Sequence, residues 1–263
     1  ERPHLSNNWG MMGTEFGRKA VVEPQHERKD DYQLWCDLGK RLGQADHWPD
    51  TLEGWLDKLL SPANVNFHEF ADGPGYFPVP KFKRYEESGF GTFSGKVELV
   101  PSLLKKLAYD PLAGYQEPPW SPVATPEMAR DYPLILISGG RVREFHHSSH
   151  RQLAKIRKRY PDPVLELSPE TAGELGIGEG DWAWIETPLG RVRQKVRLLE
   201  GMPASVVHAD GYWWFPEKAE AEPSLFGVWE SNIDAIVPDD PEVCDYAGNN
   251  YFRGLLCKVY KAE

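Results

Sequence analysis

The stretch from Leu134 to Gln152 constrains the fold of this chain more than any other. An apolar run, Leu134-Ile-Leu-Ile137, leads into the glycine pair Gly139-Gly140 and then a dense series of donors: Arg141, Arg143, His146, His147, Ser148, Ser149, His150 and Arg151. A short apolar run closed by glycine reads as a buried strand. The glycine pair allows a sharp turn and a close approach of backbone to a ligand. Behind it, Leu153, Ile156 and Tyr160 recur at helical spacing. Ser149 and Gln152 stand at capping-box spacing, which predicts Ser149 as the helix N-cap. Strand, glycine turn and helix N-terminus together present free N–H groups and a positive dipole end to an anion. Arg141 and Arg151 are suited to fork onto phosphate. The pattern predicts a phosphorylated cofactor, although it matches neither G-x-G-x-x-G nor G-x-x-x-x-G-K-[ST]. A basic, solvated strand-to-helix connection is the alternative reading.

The chain has 263 residues, enough for one large domain or two ordinary ones. Its net charge of -10 argues against a nucleic-acid partner. Basic residues nevertheless cluster from Arg141 to Arg159 and in Arg191-Val-Arg-Gln-Lys-Val-Arg197, which suits a small anionic ligand. No apolar run approaches membrane-spanning length. Cys36, Cys244 and Cys257 are too scattered for a metal site and read as buried or unreactive thiols. Glu1 opens the sequence without a signal peptide, in the manner of the interior of a longer protein.

Residues 1–29 read as irregular and Gly-rich. Asp31 to Leu42 reads as a helix with Trp35, Leu38 and Leu42 on its packed face and Gly43 as its stop. Thr51 caps a second helix, Leu52–Leu60, with Trp55, Leu56 and Leu59 inward. Residues 61–95 read as loop, including the aromatic run Pro74-Gly75-Tyr76-Phe77-Pro78. Gly95–Val100 is an expected strand and Ser102–Leu107 an expected short helix. The prolines of Asp110–Pro126 place a domain boundary near residue 125. Beyond it come strands at Leu134–Ile137 and Val164–Leu167, and a helix with Ser168 as N-cap, Pro169 at N1 and Gly176 as its stop. A hairpin follows, Asp181–Thr187 and Arg191–Leu198 around Pro188-Leu-Gly190. Its second strand puts Val192, Val196 and Leu198 on one face and Arg191, Arg193, Lys195 and Arg197 on the other, a face expected to be solvated barrel exterior. Ser205–Asp210 and Gly254–Tyr260 complete a set of short strands that predicts a β-barrel.

An ordered series of stretches resembles the molybdopterin-dependent oxidoreductases of the dimethyl-sulfoxide-reductase superfamily, in the branch of thiosulfate and polysulfide reductases, acetylene hydratase and hydroxyarene transhydroxylases. These are Gly89-Phe-Gly-Thr-Phe-Ser-Gly-Lys-Val-Glu98, Tyr109-Asp-Pro-Leu112, Tyr115-Gln-Glu-Pro118, Tyr132-Pro-Leu-Ile-Leu-Ile137, Gly139-Gly-Arg141, His147-Ser-Ser-His-Arg-Gln152, Leu175-Gly-Ile177 with Gly180-Asp181, Trp213-Trp-Phe-Pro-Glu217, Glu230-Ser-Asn232 and Arg253-Gly-Leu-Leu-Cys-Lys-Val259. The resemblance implies a mixed α/β chain. Residues 126–263 would form the double-psi β-barrel that binds molybdopterin guanine dinucleotide, and residues 1–125 the end of the preceding α/β domain plus a linker. It assigns Gly139, Gly140, Arg141, His147, Ser148, His150, Arg151, Asn232 and Arg253 to the cofactor and none to catalysis or direct metal ligation. Trp213 and Trp214 align near the cofactor, with plain core aromatics as the other reading.

Family members carry an N-terminal cysteine motif for an iron–sulfur cluster and a separate metal-ligating residue, and neither falls in the matched part. The resemblance therefore implies a C-terminal fragment or subunit of a molybdenum or tungsten enzyme, inactive and cluster-free by itself. Its partners would be the rest of the catalytic subunit and an iron–sulfur electron-transfer subunit. A part of a non-redox hydratase or transhydroxylase, a stand-alone pterin-dinucleotide carrier, and a barrel without a pterin role remain as alternatives. Substrate, metal, and prokaryotic cytoplasm or periplasm as compartment stay open.

Overall fold

The computed structural model describes residues 2–7, 14–77, 82–112, 114–245 and 247–263. It divides into two compact units, residues 1–98 and 99–263. Among the described residues no helix is long and apolar enough to cross a membrane.

In the first unit, strands β1 (His4–Asn7) and β2 (Glu15–Arg18) pair antiparallel, so the N-terminal stretch is more regular than its glycines predict. Helix α1 (Asp31–Arg41) starts where Asp30 accepts the Gln33 N–H at 2.9 Å and ends before Gly43 at φ 79°. Its packed face is not the expected one. Tyr32, Cys36 and Gly39 are buried, whereas Trp35, Leu38 and Leu42 are exposed. Both sets follow helical spacing, and the choice is made by Trp48. A Cβ on Gly39 would lie 2.2 Å from the Trp48 indole nitrogen, so the small residue is what admits the ring. Helix α2 (Leu52–Leu60) is capped by Thr51 as expected. It buries Leu56 and leaves Leu59 half exposed. Helix α3 (Phe67–Asp72) lies inside the stretch expected to be loop. Asn66 and Glu69 form a reciprocal capping box, and Phe67 is fully buried. Residues 95–100 are bend and irregular backbone rather than strand. The Thr92 hydroxyl donates to the Lys96 carbonyl at 2.7 Å, and such local bonds compete with a strand ladder. Pro78 of the aromatic run lies outside the described residues.

The second unit is a closed six-stranded barrel. Its strands are β3 (Leu134–Gly140), β4 (Val164–Leu167), β5 (Trp182–Thr187), β6 (Gly190–Leu198), β7 (Val206–Asp210) and β8 (Arg253–Lys261), in the order β3-β7-β4-β6-β5-β8. The β3–β7 and β4–β6 pairs are parallel and the others antiparallel, consistent with a double-psi barrel. Alternation along each strand fills the interior with Leu136, Leu165, Leu167, Ile185, Val192, Val207 and Leu255, all fully buried. Ile233 and Ile236 close the core from a 3-10 turn between β7 and β8. Burying each such side chain stabilises the fold by about 1.5–3 kcal/mol. Trp120 packs against this core, and its carbonyl accepts the Leu256 N–H at 3.0 Å. The helix Pro169–Leu175 has the predicted Ser168 cap, Pro169 at its start and Gly176 at φ 65°.

Strand β6 shows why the barrel is both closed and specific. Val192, Gln194 and Val196 point inward. On the outer face Arg193 pairs with Glu230, Lys195 with Asp162 and Arg197 with Glu166, while Arg191 donates to the Tyr260 hydroxyl. These cations are neutralised or hydrogen-bonded where they stand, as expected of barrel exterior.

Candidate functional site: a glycine-floored cleft at one end of the barrel

Strand β3 leaves its ladder at a bulge between Ile137 and Gly140, where register shifts against β7. Gly139 adopts φ 75°, a left-handed conformation open to glycine at little strain. Gly140 is required for another reason: a Cβ there would lie 2.7 Å from the His208 Nε2. Beside this turn runs the segment before β8. The Ser138 N–H and hydroxyl both donate to the Phe252 carbonyl, at 2.8 and 3.0 Å, and Ile137 is the register partner of Arg253. Gly139, Tyr212 and Arg253 thus line one cleft of about 290 Å³.

The donor-rich loop meets the cleft through Tyr212. The His147 ring stands 5.4 Å from the Tyr212 ring and 4.9 Å from His146. Arg141 acts on His147 at close range: its charge is the main cause holding the imidazole pKa below its ordinary value. His147, His150 and Tyr212 all have positive φ, at 52°, 76° and 62°. Non-glycine residues in this region are strained and concentrate at functional sites. Ser148 and His150 are exposed, and the Ser148 carbonyl accepts the indole N–H of Trp214.

Asn232 is brought to the same strand end by a buried amide. Inside the barrel Gln194 donates to the carbonyls of Asp210 and Ser231 at 2.9 and 3.1 Å and accepts the Asp210 N–H at 3.0 Å. Asp210 is the register partner of Gly140, and Asn232 follows Ser231. The Asn232 side-chain oxygen caps its turn at the Asp234 N–H. Asp210 also accepts the Tyr160 hydroxyl at 2.7 Å and the Val164 N–H at 2.8 Å, and burial raises its pKa despite them.

The helix behind the glycine turn differs from expectation. It spans only Ala154–Arg157, with Leu153 at its N-cap position and no side-chain cap. Ser149 instead donates its N–H to the His146 carbonyl in a turn. The left-handed residues His147 and His150 bend the chain before a helix starts, so Arg151 does not occupy a first helical turn. Nor does its side chain face solvent. Arg151 is 1% exposed, with its guanidinium 4.6 Å from the Phe145 ring centre and 4.7 Å from that of Trp213. It donates to the carbonyls of His147 at 2.6 Å and Gly211 at 3.4 Å. Burial lowers its pKa to about 10. Trp213 belongs to this aromatic cluster with Phe145 and Phe215.

Sequence reasoning passes over Ser138, Tyr212, Phe252, His208 and Gln194 as site residues. The pair Gly211-Tyr212 at the end of an apolar strand is the one signal that marks part of this set beforehand. Among the described residues no group of His, Cys, Asp and Glu is arranged to hold a metal, and all three cysteines are free. Cys36 and Cys257 are buried, and burial pushes the Cys257 thiol pKa upward.

Comparison with known proteins identifies the class of domain that this barrel forms. The molydopterin dinucleotide binding domain matches residues 134–255. Acetylene hydratase of Syntrophotalea acetylenica is 34% identical over 99% of this chain and 36% of its own length. The solved structure of acetylene hydratase from Pelobacter acetylenicus superposes with a TM-score of 0.89 at 33% identity, over 100% of this chain and 37% of that one. Trimethylamine-N-oxide reductase of Haemophilus influenzae is 28% identical over 81% of this chain and 29% of its own length. The chain belongs to the molybdopterin-dependent oxidoreductases of the dimethyl-sulfoxide-reductase superfamily and contains their molybdopterin dinucleotide-binding domain. It spans about a third of the length of these relatives.

Proposed function

We propose that the cleft seats the phosphates and guanosine of molybdopterin guanine dinucleotide, as the cofactor-holding part of a molybdenum or tungsten enzyme. The observation that carries this reading is a pair of uncompensated cations. Arg253 lines the cleft and Arg141 directly follows its glycine floor, from distant segments, and neither has a carboxylate at ion-pair distance among the described residues. The cations of β6 are partnered, which makes the contrast informative. The same Arg141 charge is the main cause lowering the His147 pKa. Gly139 keeps side-chain bulk away from the floor, and Gly140, Ser148, His150 and Asn232 are assigned as further contacts of the cofactor. When bound, such a cofactor supplies the metal at which redox or hydration chemistry occurs. The residues here bind and orient it, while the metal ligand and iron–sulfur cluster belong to other parts of the enzyme.

Titrating the purified chain with GDP and with ADP tests the site. GDP should bind more tightly than ADP, and Arg141→Gln and Arg253→Gln should each weaken it about ten-fold. Equal binding of the two nucleotides, or indifference to both substitutions, would overturn the assignment. A non-redox hydratase is the second reading, favoured by the similarity to acetylene hydratase along nearly the whole chain. Water addition to acetylene by the assembled enzyme, without an electron donor, separates it from a reductase.

A further inference from the structure

Arg151 is an unusual arginine: fully buried, ringed by aromatics, and bonded to two main-chain carbonyls rather than to a carboxylate. Those carbonyls belong to the peptide units His147–Ser148 and Gly211–Tyr212. A trans peptide is planar, so its N–H points away from its carbonyl. Turning both carbonyls inward onto a buried guanidinium therefore turns the N–H groups of Ser148 and Tyr212 the other way. Neither N–H has an acceptor among the described residues. Ser148 is exposed, and Tyr212 lines the cleft. The residues whose carbonyls are held flank or occupy the left-handed positions His147 and Tyr212, so the strain falls where the two peptides are oriented.

We propose that Arg151 is a positioning residue: it clamps the 147–148 and 211–212 peptides so that the N–H groups of Ser148 and Tyr212 form a paired donor site for one phosphate oxyanion. This rests on the dinucleotide reading of the cleft and gives Arg151 a role distinct from direct phosphate contact. A fixed guanidinium between two rings holds both carbonyls at once, which a lysine ammonium on a flexible stem does not reproduce. It also polarises both peptides, strengthening their outward N–H groups as donors.

The test uses the full chain labelled with nitrogen-15, in unsubstituted form and as Arg151→Lys, Arg151→Met and Arg141→Gln. Without nucleotide, both Arg151 variants should speed hydrogen exchange at Ser148 and Tyr212 together and leave β4 to β6 unchanged. On titration with GDP, the amide protons of Ser148 and Tyr212 should move downfield in concert. Both Arg151 variants should lose that joint shift and bind GDP about ten-fold more weakly. Arg141→Gln should weaken binding yet keep the joint shift at saturation. Arg151→Lys matching the unsubstituted chain in exchange, shift and affinity would overturn the clamp, because an ammonium would then suffice. So would unaltered exchange at either amide in Arg151→Met. Failure of the unsubstituted chain to bind GDP would instead overturn the site, leaving the exchange measurement to decide the clamp. If Arg151→Met does not fold, Arg151→Lys alone decides the matter on each readout.

Discussion

Gln194→Leu should be among the most damaging single substitutions in the barrel, and the structure gives its size. Gln194 is fully buried on the inner face of β6, where its neighbours along the strand are Val192 and Val196. Leucine fits that apolar environment, so transfer and packing change little. What is lost is polar satisfaction. The Asp210 N–H, the Asp210 carbonyl and the Ser231 carbonyl each bond the Gln194 amide. A buried group left without a partner costs about 1–3 kcal/mol, and a carbonyl keeps a second lone pair for other donors. The expected loss is therefore about 3–5 kcal/mol, below the simple upper sum because the three groups share one site. With a urea m-value of about 2 kcal/mol/M, the midpoint should fall by about 1.5–2.5 M. Hydrogen-exchange mass spectrometry across a urea series, read at β6 and β7 peptides, isolates this unit from residues 1–98. The Ser231–Asn232 segment should also exchange faster below the transition. A midpoint shift under about 0.5 M would refute the reasoning, since it would mean that the three groups find other partners.

Three further outcomes follow from the same geometry. Gly140→Ala should lower stability by about 1–3 kcal/mol through its clash with His208, and adding His208→Ala should recover most of that loss in a double-mutant cycle; simple additivity would contradict the contact. The His147 pKa, followed by NMR, should rise in Arg141→Gln and rise again when GDP binds, so that GDP affinity strengthens as pH falls through the histidine range; a fall on binding would contradict an anion beside His147. The raised Asp210 pKa makes the folded state hold its proton where the unfolded chain has lost it. Its contribution is therefore present at low pH and is lost as pH rises through the raised value, and Tyr160→Phe, which removes a bond favouring the carboxylate, should move that window upward in urea titrations run against pH.

Much of the barrel is legible in the sequence because its signals are local. Ser168, Pro169 and Gly176 fix a helix by capping, and β6 alternates strictly between interior and exterior. Sequence and structure part where two local signals are compatible and tertiary contact chooses between them. Helix α1 offers two apolar stripes, and Trp48 lying on Gly39 selects the one through Tyr32 and Cys36. The capping-box spacing of Ser149 and Gln152 is real in sequence, but left-handed turns at His147 and His150 displace the helix to Ala154. Helix α3 escapes a sequence reading although Asn66 and Glu69 spell its cap, because the aromatic and proline-rich residues after it draw the segment toward loop. Within the site, Gly139, Arg141 and Arg253 are legible as residues that turn the chain or carry charge. Tyr212 and His208 are not, since each matters through a neighbour that only the closed barrel brings alongside.

Arg151 shows how the same residue type can serve an anion site from behind. Its sequence context, a basic residue among histidines after a double glycine, is what a direct phosphate ligand would also have. The 1% exposure of its side chain between two rings is what favours the clamp proposed above over direct contact. The chain's overall charge of -10 does not oppose an anion here, since screening confines electrostatics to about 8 Å at physiological salt. What counts is which charges near the cleft are already compensated. Glu166, Asp162 and Glu230 are engaged by cations of β6, and Asp210 is turned toward Tyr160 and the Val164 N–H. Arg253 lines the cleft and Arg141 follows its glycine floor, neither with a carboxylate at ion-pair distance among the described residues, and Arg151 holds the two peptides proposed to meet the anion. An anion held there exchanges hydration for fixed donors that need no rearrangement to receive it, which is why loss of the clamp should weaken binding without removing any group that touches the ligand.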